Sequence, residues 1–271
     1  MKNMIILDQD ILAPTSAFEP FALTDTLTEF AGENEQPFLH FWQLPNCFIL
    51  GMKDTRVTDL AAGIEVIKAA NYQPVIRNAG GLGVIADAGI LNVSLIVPKA
   101  DLSIDGGYEL MTALVKTAFP TKKEIIAKEI ADSYCPGKFD LSIEDLKFAG
   151  IAQRRIKNGI AVMMYLSVTG NQLARGEMVK EFYQASLKER FSLEGYPAVR
   201  PASMENLPVL LGENLTVLAC KERFLNAAEK MFSREIAFQQ ADKFLAETDN
   251  LERFQEKITS MQQRNLLLKE L

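Results

Sequence analysis

Apolar residues recur at helical and strand spacings in turn through the first two thirds of the chain, and almost only at helical spacing afterwards. Phe18, Phe21, Leu27 and Phe30 fall three and four apart or close to it and predict a helix over 17–30, with Pro20 where only a first turn tolerates it. The aromatic and β-branched runs 38–42 and 47–51 predict strands, joined at Leu44-Pro45-Asn46 by a hairpin or tight connection. Leu60, Ile64, Ile67 and Ala70 predict a helix over 59–71 that Pro74 prevents from continuing. Strands follow at 74–77 and 89–98, a helix at 108–119, and strands at 139–143 and 160–168. Asp145 and Asn158-Gly159 mark turns on either side of 147–155, so this region reads as a meander. From about Met178 the residues are amphipathic and mixed in charge; 197–201 reads as a linker and 214–271 as largely helical. The 271 residues fit one large domain or a main domain with a smaller one appended.

Charge and cysteine usage narrow the function classes. With 29 Lys+Arg against 35 Asp+Glu the chain carries net −6, so there is no general attraction to nucleic acid or to an anionic membrane. The opening Met-Lys-Asn-Met-Ile-Ile-Leu-Asp is interrupted by acidic residues too soon for a signal peptide or membrane span, and a cytoplasmic location is expected. Cys47, Cys135 and Cys220 are odd in number, widely spaced and free of Cys-x-x-Cys pairs, which argues against a disulfide scaffold and against a structural zinc site.

The candidate chemistry concentrates at Cys135. Cys47 and Cys220 lie in apolar runs and read as small buried hydrophobes. Cys135 instead sits between Asp132-Ser133 and Pro136-Gly137 on an expected loop, with Lys147 twelve residues on as a cation that could favour the thiolate and move protons. Any Cys-His or Ser-His mechanism would have to use His40, the sole histidine, whose neighbours Leu39, Phe41 and Trp42 favour a packed residue on a strand face. Arg77 and the pair Arg154-Arg155 read equally as solvated charges or as groups that orient a carbonyl or meet an acidic partner. The glycines of Gly80-Gly81-Leu82-Gly83 permit a tight turn and close approach of a ligand. They join strand to strand, so they are neither a Rossmann fingerprint nor a phosphate loop.

Five segments together resemble one family: 50–56 (Leu-Gly-Met-Lys-Asp-Thr-Arg), 77–87 (Arg-Asn-Ala-Gly-Gly-Leu-Gly-Val-Ile-Ala-Asp), 91–94 (Leu-Asn-Val-Ser), 134–142 (Tyr-Cys-Pro-Gly-Lys-Phe-Asp-Leu-Ser) and 147–155 (Lys-Phe-Ala-Gly-Ile-Ala-Gln-Arg-Arg). In order and spacing they look like the lipoate/biotin protein ligase and transferase superfamily, and most like its octanoyl-[glycine cleavage H protein]:protein N-octanoyltransferases. The resemblance implies an α+β fold with a mixed, mainly antiparallel sheet flanked by helices, one acyltransferase domain over 1–271, and a helical C-terminal portion at about 214–271. It implies that Cys135 is the nucleophile that carries the acyl thioester and Lys147 its activating partner. The implied substrate-binding residues are Arg77, Gly80, Gly81, Leu82, Gly83, Asp87, Gly150 and Ile151, with Leu82, Gly83, Val84 and Ile151 expected to wall an acyl tunnel. No metal or cofactor is implied. The implied donor is octanoylated glycine cleavage H protein, and the implied acceptors are apo lipoyl domains of 2-oxoacid dehydrogenase complexes.

Departures from related branches bear on the choice. ATP-dependent lipoate ligases usually carry an arginine and a histidine where this chain has Ile76 and Ala86, and generally lack the Cys-Pro-Gly cysteine. The acyl-carrier-protein-dependent octanoyltransferase typically has a histidine after its glycine loop that is absent here. Those two activities, and a non-catalytic protein that binds lipoyl domains, stand as the alternatives.

Overall fold

A computed structural model describes residues 2–100, 102–191, 195–247 and 249–271. Its eleven strands among the described residues are β1 (Met4–Ile11), β2 (Phe38–Gln43), β3 (Cys47–Leu50), β4 (Gln73–Ile76), β5 (Val84–Ala86), β6 (Ile90–Pro98), β7 (Ile126–Ala127), β8 (Leu141–Ile143), β9 (Leu146–Ile156), β10 (Gly159–Ser167) and β11 (Ile236–Phe238). The α-helices are α1 (Glu19–Asn34), α2 (Leu60–Ala69), α3 (Ile104–Ala118), α4 (Gln172–Leu187), α5 (Leu207–Leu211), α6 (Val217–Phe232), α7 (Ala241–Ala246) and α8 (Asn250–Arg264). Eight strands form a sheet in the order β11-β1-β2-β6-β10-β9-β8-β7, and β4-β3-β5 form a second one. Among the strands of the described residues, β11/β1, β1/β2 and β3/β4 pair in parallel and the other pairs are antiparallel, so the sheets are mixed and mainly antiparallel, as expected. Among the described residues no helix is long and apolar enough to cross a membrane.

The predicted meander is present. Glu144 and Asp145 both have positive φ (52° and 63°), the combination that turns β8 into β9 with two residues. β6 is buried along all but its last residue because both faces of the sheet are covered. On one face Leu39, Phe41, Val93, Leu95, Val162 and Met164 pack with Met111 and Leu114 of α3 and Phe224 of α6. On the other, Phe38, Ile96 and Ala161 pack with Leu23 and Leu27 of α1 and Phe244 of α7.

Of the two connections expected at 44–46, the tight one is present and the hairpin is not: β2 joins the large sheet and β3 the small one, and Asn46, with φ 38°, turns the chain between them. Ile49 and Leu50 therefore pack with Ile64 and Ile67 of α2 and Phe182 of α4 in a separate apolar cluster. Nor is β1 foreseeable from the opening residues, whose Asp8 and Asp10 break the apolar alternation. Both carboxylates are instead held by Lys221 of α6, at 2.7 and 3.0 Å. The C-terminal part is helical, with the short β11 pairing in parallel beside β1. Asn265, just after α8, accepts from the Ile76 N–H (2.7 Å) and donates to the Ile76 carbonyl (3.0 Å), bracing the strand that leads into the glycine loop.

Candidate active site

Strand alternation builds the floor of a cavity. Trp42, Asn92, Tyr165 and Gly150 are register partners across β2, β6, β10 and β9, and His40, Ser94, Met163 and Ala152 are the partners two residues along. A period of two puts both rows on one face of the sheet. All of them except His40 line a cavity of about 380 Å³, roofed by Phe21, Thr24 and Asp25 of α1 and closed by 77–81 and 135–137. His40 lies beneath it, fully buried and hydrogen-bonded to Thr24 (3.1 Å) and Gln9 (2.8 Å). Burial holds its imidazole down at a pKa of about 3, so it is the neutral packed residue its neighbours suggested.

Cys135 is presented by a loop whose backbone is held from below. Its φ of 46° lies in the left-handed region, which a non-glycine residue adopts only when its surroundings impose it. The fully buried Lys147 supplies those surroundings. Its Nζ donates to the carbonyls of Tyr134 (2.8 Å) and Cys135 (2.9 Å) and to Ser133 Oγ (3.1 Å), and pairs with Asp140 Oδ2 at 3.1 Å. Asp140 also accepts from the Gly137 N–H, closing the loop; burial pushes its carboxyl up, and the Lys147 charge opposes that shift. The Cys135 side chain is half-buried and lines the cavity. Its Sγ accepts from the Leu82 N–H at 3.3 Å and lies 3.6 Å from Arg77 Nη2, so the sulfur is held by the glycine loop while the backbone is held by Lys147. The other thiols differ. Burial raises Cys47 far above the ordinary range and pushes Cys220 up to about 12.

Glycine geometry explains why the loop can reach the sulfur. Gly81 has φ +90°, and a Cβ there would come within 2.6 Å of Arg77 Nη2. Arg77 is not a solvated charge: besides the sulfur, its Nη2 donates to the Gly80 (2.9 Å) and Leu82 (3.1 Å) carbonyls inside its own loop. Arg154 is likewise engaged, with Asp25 (2.6 Å) and the Asn78 carbonyl (2.8 Å), while Asn78 Nδ2 donates to Asp25 at 2.8 Å. The clamp ties the loop to α1, and burial pushes the Asp25 carboxyl up despite the arginine. Arg155 points elsewhere, to the carbonyls of Leu102 and Ser103 ahead of α3.

The anticipated residues do not all face the cavity. Arg77, Gly80, Gly81, Gly150 and Ile151 line it with Cys135, as does the expected wall residue Val84. Leu82 and Gly83 lie off the wall: the turn at Gly81 sends the Leu82 side chain into the apolar cluster around β3, and a Cβ on Gly83 would meet Phe48 at 2.5 Å. Leu82 serves through its backbone N–H instead. Asp87 also lies away from the cavity. It caps the β5–β6 turn through the Gly89 N–H and binds Arg175 at two atoms, 2.6 and 2.8 Å. Arg175 in turn meets Gln172, which donates to the Tyr134 hydroxyl next to the cysteine. Sequence spacing carries no signal for Arg175 or Asp25, because each reaches its partners from a helix distant in sequence. Three nitrogen donors of wall residues, Trp42 Nε1, Arg77 Nε and Asn92 Nδ2, are buried without a partner among the described residues.

Comparison with known proteins agrees with this architecture. Residues 16–229 match the family described as Lipoyl protein ligase A/B catalytic domain. The chain belongs to that family. It is 41% identical over 263 residues to an octanoyl-[GcvH]:protein N-octanoyltransferase of Exiguobacterium sibiricum, covering 96% of this chain and 94% of that one. It is 38% identical over 226 residues to a lipoyl-[GcvH]:protein N-lipoyltransferase of Listeria monocytogenes, covering 82% and 81%. Among solved structures, the fold is shared with a bipartite lipoate protein ligase of Thermoplasma acidophilum (TM-score 0.71, 16% identity, 94% and 92% covered) and with a lipoate-protein ligase A bound with ATP (TM-score 0.68, 14% identity, 94% of each covered). The expectation of an acyltransferase of this family, made from the five segments, holds.

Proposed function

We propose that the chain, acting as one catalytic unit, transfers an octanoyl or lipoyl group from a lysine of glycine cleavage H protein to a lysine of a lipoyl domain in a 2-oxoacid dehydrogenase acyltransferase subunit. The observation that carries this reading is a thiol in the wall of a largely apolar cavity, its sulfur met by two donors from one loop. The names of the full-length relatives in two genera, which specify acyl transfer involving GcvH, support the donor.

In this mechanism the Cys135 sulfur attacks the acyl-lysine carbonyl. The C–N bond breaks, the thiol proton ends on the departing lysine nitrogen, and the acyl group stays as a thioester. The acceptor lysine then attacks that thioester, a C–N bond forms, the C–S bond breaks, and the proton returns to sulfur. One amide replaces another, so the exchange is near thermoneutral and calls for no nucleotide and no metal. Lys147 holds the two carbonyls that fix the cysteine backbone. It can serve the proton step by releasing Ser133 Oγ, the one neutral side-chain acceptor in its set. The tail lies along the sheet floor, where each buried methylene contributes about 0.8 kcal/mol. Asn92 Nδ2, one of the wall donors without a partner, is available to the acyl carbonyl, the one strong acceptor an octanoyl group brings.

The test is intact-protein mass spectrometry after incubation with octanoylated H protein without ATP. An octanoyl adduct that is lost in Cys135→Ala and passes to an apo lipoyl domain is expected. Transfer that requires ATP and survives Cys135→Ala would instead establish a ligase, and an adduct formed only from octanoyl-acyl carrier protein would change the donor.

A further inference from the structure

The segment 50–56 stands out in the sequence, yet none of its side chains touches the cavity. Asp54 within it is fully buried, and among the described residues it forms no ion pair. Its Oδ2 accepts from the Gly51 N–H at 2.7 Å and its Oδ1 from the Tyr183 hydroxyl at 2.8 Å. The Tyr183 oxygen accepts in turn from the Gly83 N–H at 3.2 Å. Gly83 follows Leu82, whose N–H is the backbone donor on the Cys135 sulfur. Gly51, at the other end of the chain of bonds, packs so tightly on the glycine loop that a Cβ there would lie 2.0 Å from the Gly81 carbonyl oxygen. Both sides of the Gly81–Leu82 peptide are thus held through one carboxylate.

We infer that Asp54 is a positioning residue for the acyl-transfer step, acting through Tyr183 and Gly51 to keep the Leu82 N–H on the Cys135 sulfur, and that it makes this step depend on pH. The inference rests on Cys135 as the acyl acceptor. Asp54 accepts one hydrogen bond at each oxygen, and the carboxylate presents both oxygens as acceptors with no proton of its own. The protonated acid, like asparagine, turns one oxygen position into a donor. Facing Gly51 that donor opposes an N–H; facing Tyr183 it leaves the phenol hydrogen without its acceptor. Burial pushes the Asp54 carboxyl up to about 6, so the change falls in an accessible range. The titratable groups around it are Tyr183 from α4, Arg77 from the end of β4, Lys53 in its own turn, and Tyr196. Tyr183 is pushed well above the ordinary phenol range and stays protonated as the donor.

Two readouts on the full-length chain test the inference: the rate at which iodoacetamide alkylates Cys135, and the single-turnover rate of octanoyl-enzyme formation. In Asp54→Asn and in Tyr183→Phe, each is expected to fall about tenfold or more near pH 8, the effect of one lost hydrogen bond to a charged group. The double variant should be no slower than the slower single one, because both break one chain. The ratio of wild-type to Asp54→Asn alkylation rates should shrink toward one as pH falls through about 6. Alkylation that is unchanged or faster in Asp54→Asn, losses that multiply in the double variant, or a ratio flat with pH would overturn the inference. If Asp54→Asn does not fold, Tyr183→Phe keeps the buried ring and carries the same two readouts. Wild-type protein that alkylates with this Asp54 dependence but forms no acyl adduct would refute the acyl-acceptor reading and leave the positioning chain standing.

Discussion

Replacing Lys147 by methionine separates its two candidate roles. Lys147 and Asp140 are both almost wholly buried, 0 and 2% exposed, and 3.1 Å apart. Removing one member of such a pair leaves the other charge uncompensated, at a cost of about 3–5 kcal/mol. The Ser133 hydroxyl and the Tyr134 and Cys135 carbonyls also lose a donor, which adds to the loss where water cannot replace it. Lys147→Met should therefore lower unfolding stability by at least about 3 kcal/mol near pH 7.5, read from urea titration. The loss should shrink in acid. Without the cation, the burial that already raises the Asp140 carboxyl acts unopposed by it, so the folded-state pKa rises further above the unfolded value of 3.8. A group raised in this way keeps its full stability contribution below the unfolded pKa and loses it as pH climbs through the folded one. Hence the charge part of the penalty is small near pH 4 and grows toward neutrality, and adding Asp140→Asn should remove most of its pH dependence. A loss under about 1 kcal/mol at pH 7.5, with octanoyl-enzyme formation abolished in folded protein, would refute the anchoring role and leave proton transfer as the function of Lys147.

Three further outcomes follow from the geometry. Gly51→Ala, whose Cβ would lie 2.0 Å from backbone, should abolish acyl-enzyme formation, whereas Gly80→Ala, with nothing within 4 Å, should retain activity within about threefold. His40 is held neutral at a pKa of about 3 against 6.5 in the unfolded chain, so acidification favours the unfolded state. Its contribution is complete above pH 6.5, falls by about 2 kcal/mol at pH 5 and continues to be lost down to about 3; His40→Gln should lack this component in urea titrations across pH. Arg175→Met should cost about 3 kcal/mol in the same assay, since it leaves Asp87 without its two-atom partner. It should also slow Cys135 alkylation, because Gln172 then holds Tyr134 less firmly.

By itself the sequence determined the local and the covalent parts of this protein. Periodicity located α1, α2 and the β8–β10 meander, because the spacing of apolar residues is set by the backbone geometry of each element. The five segments marked Cys135, Lys147 and the glycine loop as the chemistry to watch. Tertiary structure decided how those parts meet. Only folding shows that Lys147 grips the backbone of the cysteine loop, that Leu82 acts through its N–H, and that Asp87 pairs with Arg175 across 88 residues. It likewise sends β2 and β3 to different sheets, and brings Asp54 and Tyr183 together behind the glycine loop. A hydrogen bond needs two groups within about 3 Å, and for partners more than 100 residues apart that distance is fixed by the packing of whole sheets and helices.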